Sequence, residues 1–316
     1  MPFKTLKQSS ADALVLEWIL QTKHYKLALD RNRCVGCQIC TLACPKAAIT
    51  THKQPKTQEE TKKAVVDLDQ AKCNFCGFCD ITCPYGAIQV TLNGERNLAV
   101  LEKESYPQLV RDITVNTQKC DKECTECETA CPLNLITVLK VGYDGKPVTD
   151  VSKLSPTGKR RVQVTVDIKK QYCPTCRACE YRCKPGAIAV KKTFEGKISI
   201  DTQKCPEGCR DCLDVCPITG TLELDGAGKV AVNEQTCTYC GACKNVCPVE
   251  DALTVNRTKV LHTPVRSGAW NKALARITSP ECAAKEYTVQ ATKIRRQIID
   301  KRFIVEELKK KNAAAN

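Results

Sequence analysis

Cysteine is the residue type in this chain whose number and spacing predict chemistry, because 25 of the 316 residues are cysteines. The first run, Cys34–Pro45, places four thiols within eleven residues and ends in proline, and five similar runs follow it. Thiolates at this density select iron–sulfur clusters, copper(I) or zinc. The six runs hold 24 of the 25 cysteines: Cys34, Cys37, Cys40 and Cys44; Cys73, Cys76, Cys79 and Cys83; Cys120, Cys124, Cys127 and Cys131; Cys173, Cys176, Cys179 and Cys183; Cys205, Cys209, Cys212 and Cys216; Cys237, Cys240, Cys243 and Cys247.

The spacing within the runs favours [4Fe-4S] clusters. In the pattern C-x2-C-x2-C-x3-C-P, three cysteines bind one cluster and the fourth binds a neighbouring cluster. Runs three and five widen the first gap to C-x3-C, and run four moves the proline by one residue, to Pro185. Zinc is the main alternative, but structural zinc sites take paired ligands, whereas these ligands come as a triplet plus one. The sequence therefore predicts six [4Fe-4S] clusters on 24 cysteines.

Each run lies in the same local frame, which indicates an α+β fold. A short stretch of alternating apolar residues precedes the run, and an apolar segment follows its proline, which predicts β–loop–α–β with the helix starting at the proline. Two such halves make one two-cluster module, so the chain would contain three modules in tandem. The predicted leading strands are Tyr25–Leu29, Ala64–Leu68, Asp112–Val115, Val162–Val166, Lys197–Ile200 and Lys229–Val232.

The gaps between runs leave two ways of pairing the halves. Neighbouring runs can pair, but the 21 residues between Cys183 and Cys205 also permit runs four and five to pair inside runs three and six. Adjacent pairing is preferred, and it gives six groups of ligands. They are Cys34, Cys37, Cys40 with Cys83; Cys73, Cys76, Cys79 with Cys44; Cys120, Cys124, Cys127 with Cys183; Cys173, Cys176, Cys179 with Cys131; Cys205, Cys209, Cys212 with Cys247; and Cys237, Cys240, Cys243 with Cys216.

The segments outside the runs divide the rest of the chain. Ser9 or Ser10 as N-cap, followed by Leu14 and Trp18, predicts a helical cap, and two polar insertions, Thr50–Lys63 and Gly142–Arg161, predict surface loops. Beyond the runs, Ser267 is predicted to cap a short helix, and Ser279-Pro280-Glu281 to start a longer basic one. The predicted divisions are a helical cap (1–24), module 1 (25–92), a connector (93–111), module 2 (112–192), module 3 (193–256) and a basic helical tail (257–316).

Composition limits the function classes. The formal net charge is +14, but six clusters with thiolate ligands would add about −12, which removes most of the apparent nucleic-acid signal. From Asn256 onward, 14 Lys and Arg stand against 5 Asp and Glu, so the tail alone is strongly basic. The tail helix is therefore predicted either to pack on the acidic cluster body or to dock another subunit.

The chemistry of the thiols also indicates the compartment. No signal peptide and no apolar stretch long enough to span a membrane are evident, which predicts a reduced, cytoplasmic location in an anaerobic setting. Aromatic residues are 5% of the chain, so the hydrophobic core should be small and the apo-protein largely unfolded.

Catalytic signals are absent from the sequence. No glycine-rich phosphate or dinucleotide loop of the usual form occurs, and the three histidines, His24, His52 and His262, are scattered. Cys282 stands outside the runs and is predicted to be a buried small hydrophobe. The chain is therefore predicted to carry electrons without transforming a substrate.

The runs from Cys34 to Pro248 resemble those of the polyferredoxins of methanogenic archaea. The segments Cys205–Cys209, Cys240–Glu250 and Val260–Trp270, with Asn93-Gly94 and Tyr106-Pro107, are similar to the polyferredoxin subunits of tungsten or molybdenum formylmethanofuran dehydrogenases. This resemblance implies a non-catalytic subunit that conducts electrons between the pterin site of another subunit and ferredoxin or heterodisulfide reductase, during CO2 reduction or its reverse. Longer members of that family carry a further module.

Two other functions stay open from the sequence. One is a polyferredoxin that serves a hydrogenase or a heterodisulfide reductase. The other, of a different class, is a zinc-knuckle protein that binds nucleic acid through the basic tail. The sequence leaves the reduction potentials and the direction of electron flow undetermined.

Overall fold

The computed structural model describes residues 4–53, 63–96, 98, 107–264, 268–279, 281–282, 292, 295–296 and 298–299. Strand pairs divide the described chain into three units: unit I (residues 24–92), unit II (113–190) and unit III (194–260). Within these described ranges, no helix has the length and apolar character needed to cross a bilayer.

Unit I pairs its first strand with its last, and its two middle strands with each other. Strands β3 and β6 are antiparallel with Leu27 opposite Val90, and β4 and β5 form a separate pair with Ile49 opposite Leu68. Alternate side chains of a strand point to the same side, and on the inner face of each pair these side chains are apolar. The elements are β1 (Lys4–Ser9), β2 (Ala13–Ile19), β3 (His24–Asp30), α1 (Ile39–Ala43), β4 (Ile49–Lys53), β5 (Ala64–Leu68), α2 (Phe78–Ile81) and β6 (Ile88–Leu92).

The N-terminal segment is a β-hairpin, so the predicted helical cap is wrong. Strands β1 and β2 extend the sheet of unit I in the order β1-β2-β3-β6. Leu14 and Leu16 are both fully buried, and their spacing of two is the period of a strand. Leu14 and Trp18 also fit a helical spacing of four. Leu16 distinguishes the two structures, because only a strand places it on the same buried face as Leu14.

Units II and III repeat the arrangement of unit I. In unit II, β7 pairs with β10 and β8 with β9; in unit III, β11 pairs with β14 and β12 with β13. The strands thus follow the pairing of neighbouring runs and not the nested alternative. Their elements are β7 (Ile113–Val115), α3 (Glu126–Thr129), β8 (Ile136–Val141), α4 (Pro156–Arg161), β9 (Gln163–Ile168), α5 (Ala178–Arg182), β10 (Ile188–Val190), β11 (Phe194–Ile200), α6 (Asp211–Asp214), β12 (Leu222–Leu224), β13 (Val230–Val232), α7 (Ala242–Val246) and β14 (Leu253–Val260).

The short helices lie before the prolines, whereas the sequence predicted that they begin there. Helix α1 ends at Ala43, and the Cys44 amide donates to the Cys40 carbonyl at 3.0 Å. The three residues between the last two cysteines therefore form one helical turn, since residues four apart close an α-helical hydrogen bond. The proline begins the loop that leads to the next strand.

Two predicted loops contain regular structure. Thr50–Lys53 of the first insertion belong to β4, and residues 54–62 lie outside the described chain. The second insertion contains a 3-10 turn at Val151–Lys153 and helix α4, whose N-cap Ser155 accepts a hydrogen bond from the Gly158 amide at 3.2 Å.

The hydrophobic core is unevenly distributed among the units. One continuous cluster of buried side chains joins units I and III, and Trp270 and Ile277 of the tail belong to it. In unit II the separate cluster has only Ile113, Ile188 and Val190 at its centre. The burial of unit II is thus small compared with that of its neighbours.

The tail begins with helix α8 (Gly268–Thr278), where the sequence predicts a short helix. It packs against α1 and β14. Ser267, its predicted cap, lies outside the described residues. So does most of the predicted longer helix, although 281–282, 292, 295–296 and 298–299 are helical.

Candidate metal centres

The cysteines gather in space as the adjacent pairing predicts. Three cavities are each lined by a triplet from one run and the fourth cysteine of its partner run. We number each group of four thiols by the run that supplies its triplet. Those lining cavities are set 3 (Cys120, Cys124, Cys127, Cys183), set 4 (Cys173, Cys176, Cys179, Cys131) and set 6 (Cys237, Cys240, Cys243, Cys216).

The other three groups are recognised because the thiols within each group raise the pKa of one another. Burial raises the pKa of Cys40, and the thiols of Cys34 and Cys83 raise it further. Burial also raises the pKa of Cys73 to about 11, with contributions from Cys76 and Cys44. The three groups are set 1 (Cys34, Cys37, Cys40, Cys83), set 2 (Cys73, Cys76, Cys79, Cys44) and set 5 (Cys205, Cys209, Cys212, Cys247).

Raised thiol pKa values have a chemical consequence for metal binding. Burial raises the pKa of Cys237 to about 11 and that of Cys216 to about 12, so both stay protonated at neutral pH in the absence of metal. A metal ligand must be a thiolate, and binding therefore releases protons. A polynuclear iron centre supplies the positive charge that holds four buried thiolates together.

Backbone N–H groups point at the sulfur of the fourth cysteine in runs one to four. The Sγ atoms of Cys44, Cys83 and Cys131 each accept from the amide four residues later, at 3.3 Å, and that of Cys183 accepts at 3.2 Å. In run four this hydrogen bond survives the shift of the proline to Pro185. Such bonds favour electron-rich sulfur and help to set a cluster's potential.

A left-handed residue after the fourth cysteine makes this approach of the amide possible. Ala47, Gly86, Asn134 and Gly186 occupy the third position after that cysteine, with φ of 48°, 59°, 51° and 62°. In runs five and six the turn is one residue longer, and Gly220 and Asp251 adopt the positive φ one position later.

Further left-handed residues surround the second cysteine of the C-x2-C runs. Phe75, Thr175 and Tyr239 precede it with φ of 53°, 55° and 50°. Positive φ is unfavourable for bulky and β-branched side chains, so the fold must hold these residues there. These residues could not be predicted from their types, because positive φ is expected at glycine or asparagine, and the only available signal was their equivalent place in each run.

Runs three and five differ at the same place. The residues after their second cysteines, Thr125 and Arg210, have φ of −138° and −126°, whereas the corresponding Arg177 of run four has φ of 70°. The widened C-x3-C gap thus changes the turn without removing the thiols from their sets. All the cysteines of sets 3 and 5 are half-buried, whereas every other set contains at least one buried cysteine.

The sets suit a cluster better than a single ion. Within the described ranges, no three His, Cys, Asp or Glu side chains come close enough together to hold one metal ion. The four thiols of a set surround a space whose other lining is mainly apolar, and around set 6 it includes Ile198, Ile218 and Val255 together with two threonines. Four thiols, an apolar wall and inward N–H groups are what a [4Fe-4S] cluster requires.

The remaining cysteine and the histidines lie apart from the sets. Cys282 is exposed, so its prediction as a buried hydrophobe is wrong: it follows α8, where its amide donates to Ser279 Oγ at 3.2 Å. His24 lies 3.6 Å from the Glu17 carboxylate, His52 contacts Thr50, and His262 contacts the Thr263 carbonyl.

Known proteins share these features over different parts of the chain. Families described as 4Fe-4S dicluster domains match residues 33–87 and 197–248, which correspond to units I and III. A ferredoxin of Methanothermococcus thermolithotrophicus is 42% identical over 60 residues, which are 18% of this chain and 95% of that protein. The polyferredoxin protein MvhB of Methanothermobacter marburgensis is 32% identical over 108 residues, 31% of this chain and 24% of that protein.

A solved structure extends the similarity to most of the chain. It is one chain of a formate dehydrogenase–heterodisulfide reductase–formylmethanofuran dehydrogenase complex from Methanospirillum hungatei. The TM-score is 0.74 at 29% sequence identity, and the match covers 87% of this chain and 91% of that chain. Together with the repeated cysteine runs, these similarities confirm the predicted resemblance: this chain belongs to the 4Fe-4S dicluster ferredoxins, as a member that resembles the polyferredoxins of methanogens.

Proposed function

We propose that each of the six thiol sets holds one [4Fe-4S] cluster. When bound, such a cluster accepts and releases one electron at a potential that its surroundings set. The proposal includes unit II, because it pairs its strands and gathers sets 3 and 4 as the other units gather theirs. We accordingly propose domains at 25–92, 112–192 and 193–256, with the hairpin at the N-terminus in place of the helical cap.

We infer that the chain conducts electrons from one unit to the next. The observation that carries this function is the position of Cys37 of set 1 beside Cys240 of set 6, where two units meet. Asn245 fixes this contact by donating to the Gly36 carbonyl at 2.8 Å, and the Tyr85 and Thr238 hydroxyls lie 3.1 Å apart across it. Clusters of different units would therefore be neighbours, as a relay requires.

The partners that we propose are subunits of a formylmethanofuran dehydrogenase complex. The support is the match over 91% of a chain from a complex whose description includes that enzyme together with heterodisulfide reductase. In this role the chain would be non-catalytic and cytoplasmic, and it would pass electrons between the catalytic subunit and ferredoxin or heterodisulfide reductase.

A second assignment within the same class is a polyferredoxin of a hydrogenase or heterodisulfide reductase complex. It is favoured by the 32% identity to the polyferredoxin protein MvhB, although that match covers only 24% of MvhB. Purification from native cells separates the two assignments. A pterin-containing subunit that co-purifies with the chain supports the first, and its absence alongside a hydrogenase subunit supports the second.

The cluster assignment is tested by anaerobic purification and by measurement of iron, acid-labile sulfide and zinc per chain. We expect about 24 iron and about 24 sulfide, the content of six cubane clusters. A colourless protein that contains zinc and no iron would refute the relay.

A further inference from the structure

Three sets contribute cysteines to the contacts between units. Sets 1, 4 and 6, here called the inner sets, come from units I, II and III, and sets 2, 3 and 5 are the outer sets. At each boundary between two inner sets, a basic side chain donates to the backbone carbonyl of a cysteine. The three side chains are Arg111 between sets 1 and 4, Lys192 between sets 4 and 6, and Arg257 between sets 6 and 1.

Arg111 connects cysteines of units I and II directly. Its Nε donates to the Cys173 carbonyl at 3.0 Å, and its Nη2 donates to the Cys83 carbonyl at 2.9 Å. One guanidinium thus contacts the backbone of a set 4 cysteine and of a set 1 cysteine, in the fork geometry that arginine provides.

Lys192 occupies the boundary between units II and III. Its Nζ donates to the carbonyls of Cys237 at 2.9 Å and Glu234 at 2.6 Å, and it is close enough to Cys176 of set 4 to interact with that thiol. The ammonium also lies 4.8 Å from the centre of the Tyr239 ring. It is therefore held by a carbonyl of set 6 while it faces set 4.

Arg257 is the most buried of the three, with 8% of its surface exposed. Its Nε donates to the Tyr239 carbonyl at 2.7 Å, and its Nη2 donates to the carbonyl of Cys240. The guanidinium faces the thiols of Cys37, Cys240 and Cys243, from both sets at this boundary.

The thiols of the inner sets act on the charge of all three side chains, and the more distant carboxylates Asp80 and Glu234 also act on Arg111 and Lys192. Among the residues that the structure describes, no carboxylate forms an ion pair with any of the three. By contrast, Lys46, which acts on Cys76 of outer set 2, and Lys53, whose Nζ donates to the Cys247 carbonyl of outer set 5 at 3.1 Å, are both exposed. A cation in the interior acts more strongly than one in water, because the surrounding dielectric screens it less.

We propose that Arg111, Lys192 and Arg257 raise the reduction potentials of the inner sets above those of the outer sets. The inference rests on the proposed function, since it requires a cluster at each set. Four thiolates give a cluster net negative charge, and one further electron adds to it, so a fixed neighbouring cation stabilises the reduced form. An electron that enters through any outer set would then settle on the three inner sets, and it could leave through either of the other two outer sets.

Lys192 gives the sharpest test, because its neighbour in sequence is a matched control. Lys191 is also a lysine, but its side chain is 75% exposed and pairs with Asp112 at 2.7 Å. We would prepare Lys192→Gln, Lys191→Gln and Lys192→Arg in the full chain with its clusters, and titrate each against solution potential under paramagnetic resonance.

In Lys192→Gln we expect a lower midpoint potential for the clusters at sets 4 and 6, which would contribute part of the signal that titrates at high potential. At a fixed solution potential the ratio of reduced to oxidised cluster should fall about tenfold, which is about 59 mV for a one-electron centre. Lys191→Gln should leave the midpoints unchanged, and Lys192→Arg should restore them because it keeps the charge.

Other outcomes separate this inference from the function on which it rests. Wild-type protein that contains little iron would overturn the proposed function itself. Full iron content in Lys192→Gln with unchanged midpoints would overturn only the tuning role. Loss of iron in Lys192→Gln would also contradict that role, because it would make the ammonium a structural part of the ligand loop.

Discussion

Cys44 and Cys83 exchange places between the two runs of unit I. Each ends its own helical turn, but its sulfur lies with the triplet of the other run. Cys83 accordingly raises the pKa of Cys40, and Cys44 raises the pKa of Cys73. The exchange ties the two halves of the unit together, because each metal centre would then be bound by both halves.

Reciprocal serine variants test this exchange at the level of single thiols. In Cys83→Ser we expect loss of the cluster at set 1, so that Cys34, Cys37 and Cys40 become open to alkylation. In Cys44→Ser the alkylated thiols should instead be Cys73, Cys76 and Cys79. Peptide mass spectrometry distinguishes the two patterns, and Cys282→Ser is the control that should change neither.

If each variant exposed the triplet of its own run, the exchange would be wrong and each run would bind its own cluster. The candidate ligands follow from spacing alone, because the cysteine runs are a local signal, whereas the gaps between runs left their pairing open. The backbone around them was less predictable. Thr175 adopts a positive φ although it is β-branched, and its hydroxyl accepts a hydrogen bond from the Thr193 amide at 2.8 Å in the interior.

At the scale of elements, the sheet that begins unit I is longer than the sequence indicated. The strands that lead into the runs are predictable, as Ala64–Leu68 shows by matching β5 at both ends. The hairpin β1–β2 was mistaken for a helix, because a seven-residue strand with large residues at positions 14, 16 and 18 satisfies both periods. Strand β2 joins β3 through the turn Leu20–Lys23, which contains none of the glycine, proline or asparagine residues that usually mark a hairpin in a sequence.

Leu16→Ala tests the role of this hairpin. Leu16 is fully buried in the main core cluster, and removal of a buried leucine side chain costs about 2–5 kcal/mol. We expect faster hydrogen exchange of the amides in β2 and β3, measured by mass spectrometry on the cluster-containing protein. Val15→Ala, on the opposite face of the same strand, should have a much smaller effect. Equal effects of the two would mean that the hairpin does not bury its Leu14 and Leu16 face.

At the scale of the whole molecule, metal ligation and hydrophobic burial contribute differently to each unit. Units I and III share one core with the tail helix, whereas unit II has its own small cluster of Ile113, Ile188 and Val190. A unit with little burial depends more on its metal, because ligand binding to the folded state adds directly to stability.

Removal of iron should therefore unfold unit II before the others. We expect that anaerobic treatment with a strong chelator brings the amides of β8 and β9 to the exchange rate of an unfolded chain first. The amides of β11 and β14, in the larger core, should keep some protection. The sequence predicted a largely unfolded apo-protein from composition, but composition cannot reveal how the core is shared. Simultaneous loss of protection in all three units would show that the clusters stabilise them equally.

The contact between units I and II depends on a glycine, and a second glycine provides the control. Gly86 and Gly186 occupy the same position after the fourth cysteine of their runs, with φ of 59° and 62°. A Cβ atom on Gly86 would lie 2.6 Å from Tyr172 Cδ1 and 2.8 Å from the Gln171 carbonyl oxygen, whereas one on Gly186 would have no atom within 4 Å. Left-handed strain should cost both alanine variants about 1–2 kcal/mol, so any difference between them reports the approach of the two units.

We expect Gly86→Ala to displace Tyr172, which also lies under the Arg33 guanidinium at 3.9 Å, and to loosen the Arg111 bridge to Cys173 nearby. Hydrogen exchange of the turn Lys170–Tyr172 should speed up in Gly86→Ala and stay unchanged in Gly186→Ala. Since Arg111 at this contact donates to cysteine carbonyls of both set 1 and set 4, Gly86→Ala should also slow electron exchange between units I and II. If hydrogen exchange of this turn were the same in both variants, units I and II would be apart in solution. An electron would then have to reach unit II through unit III.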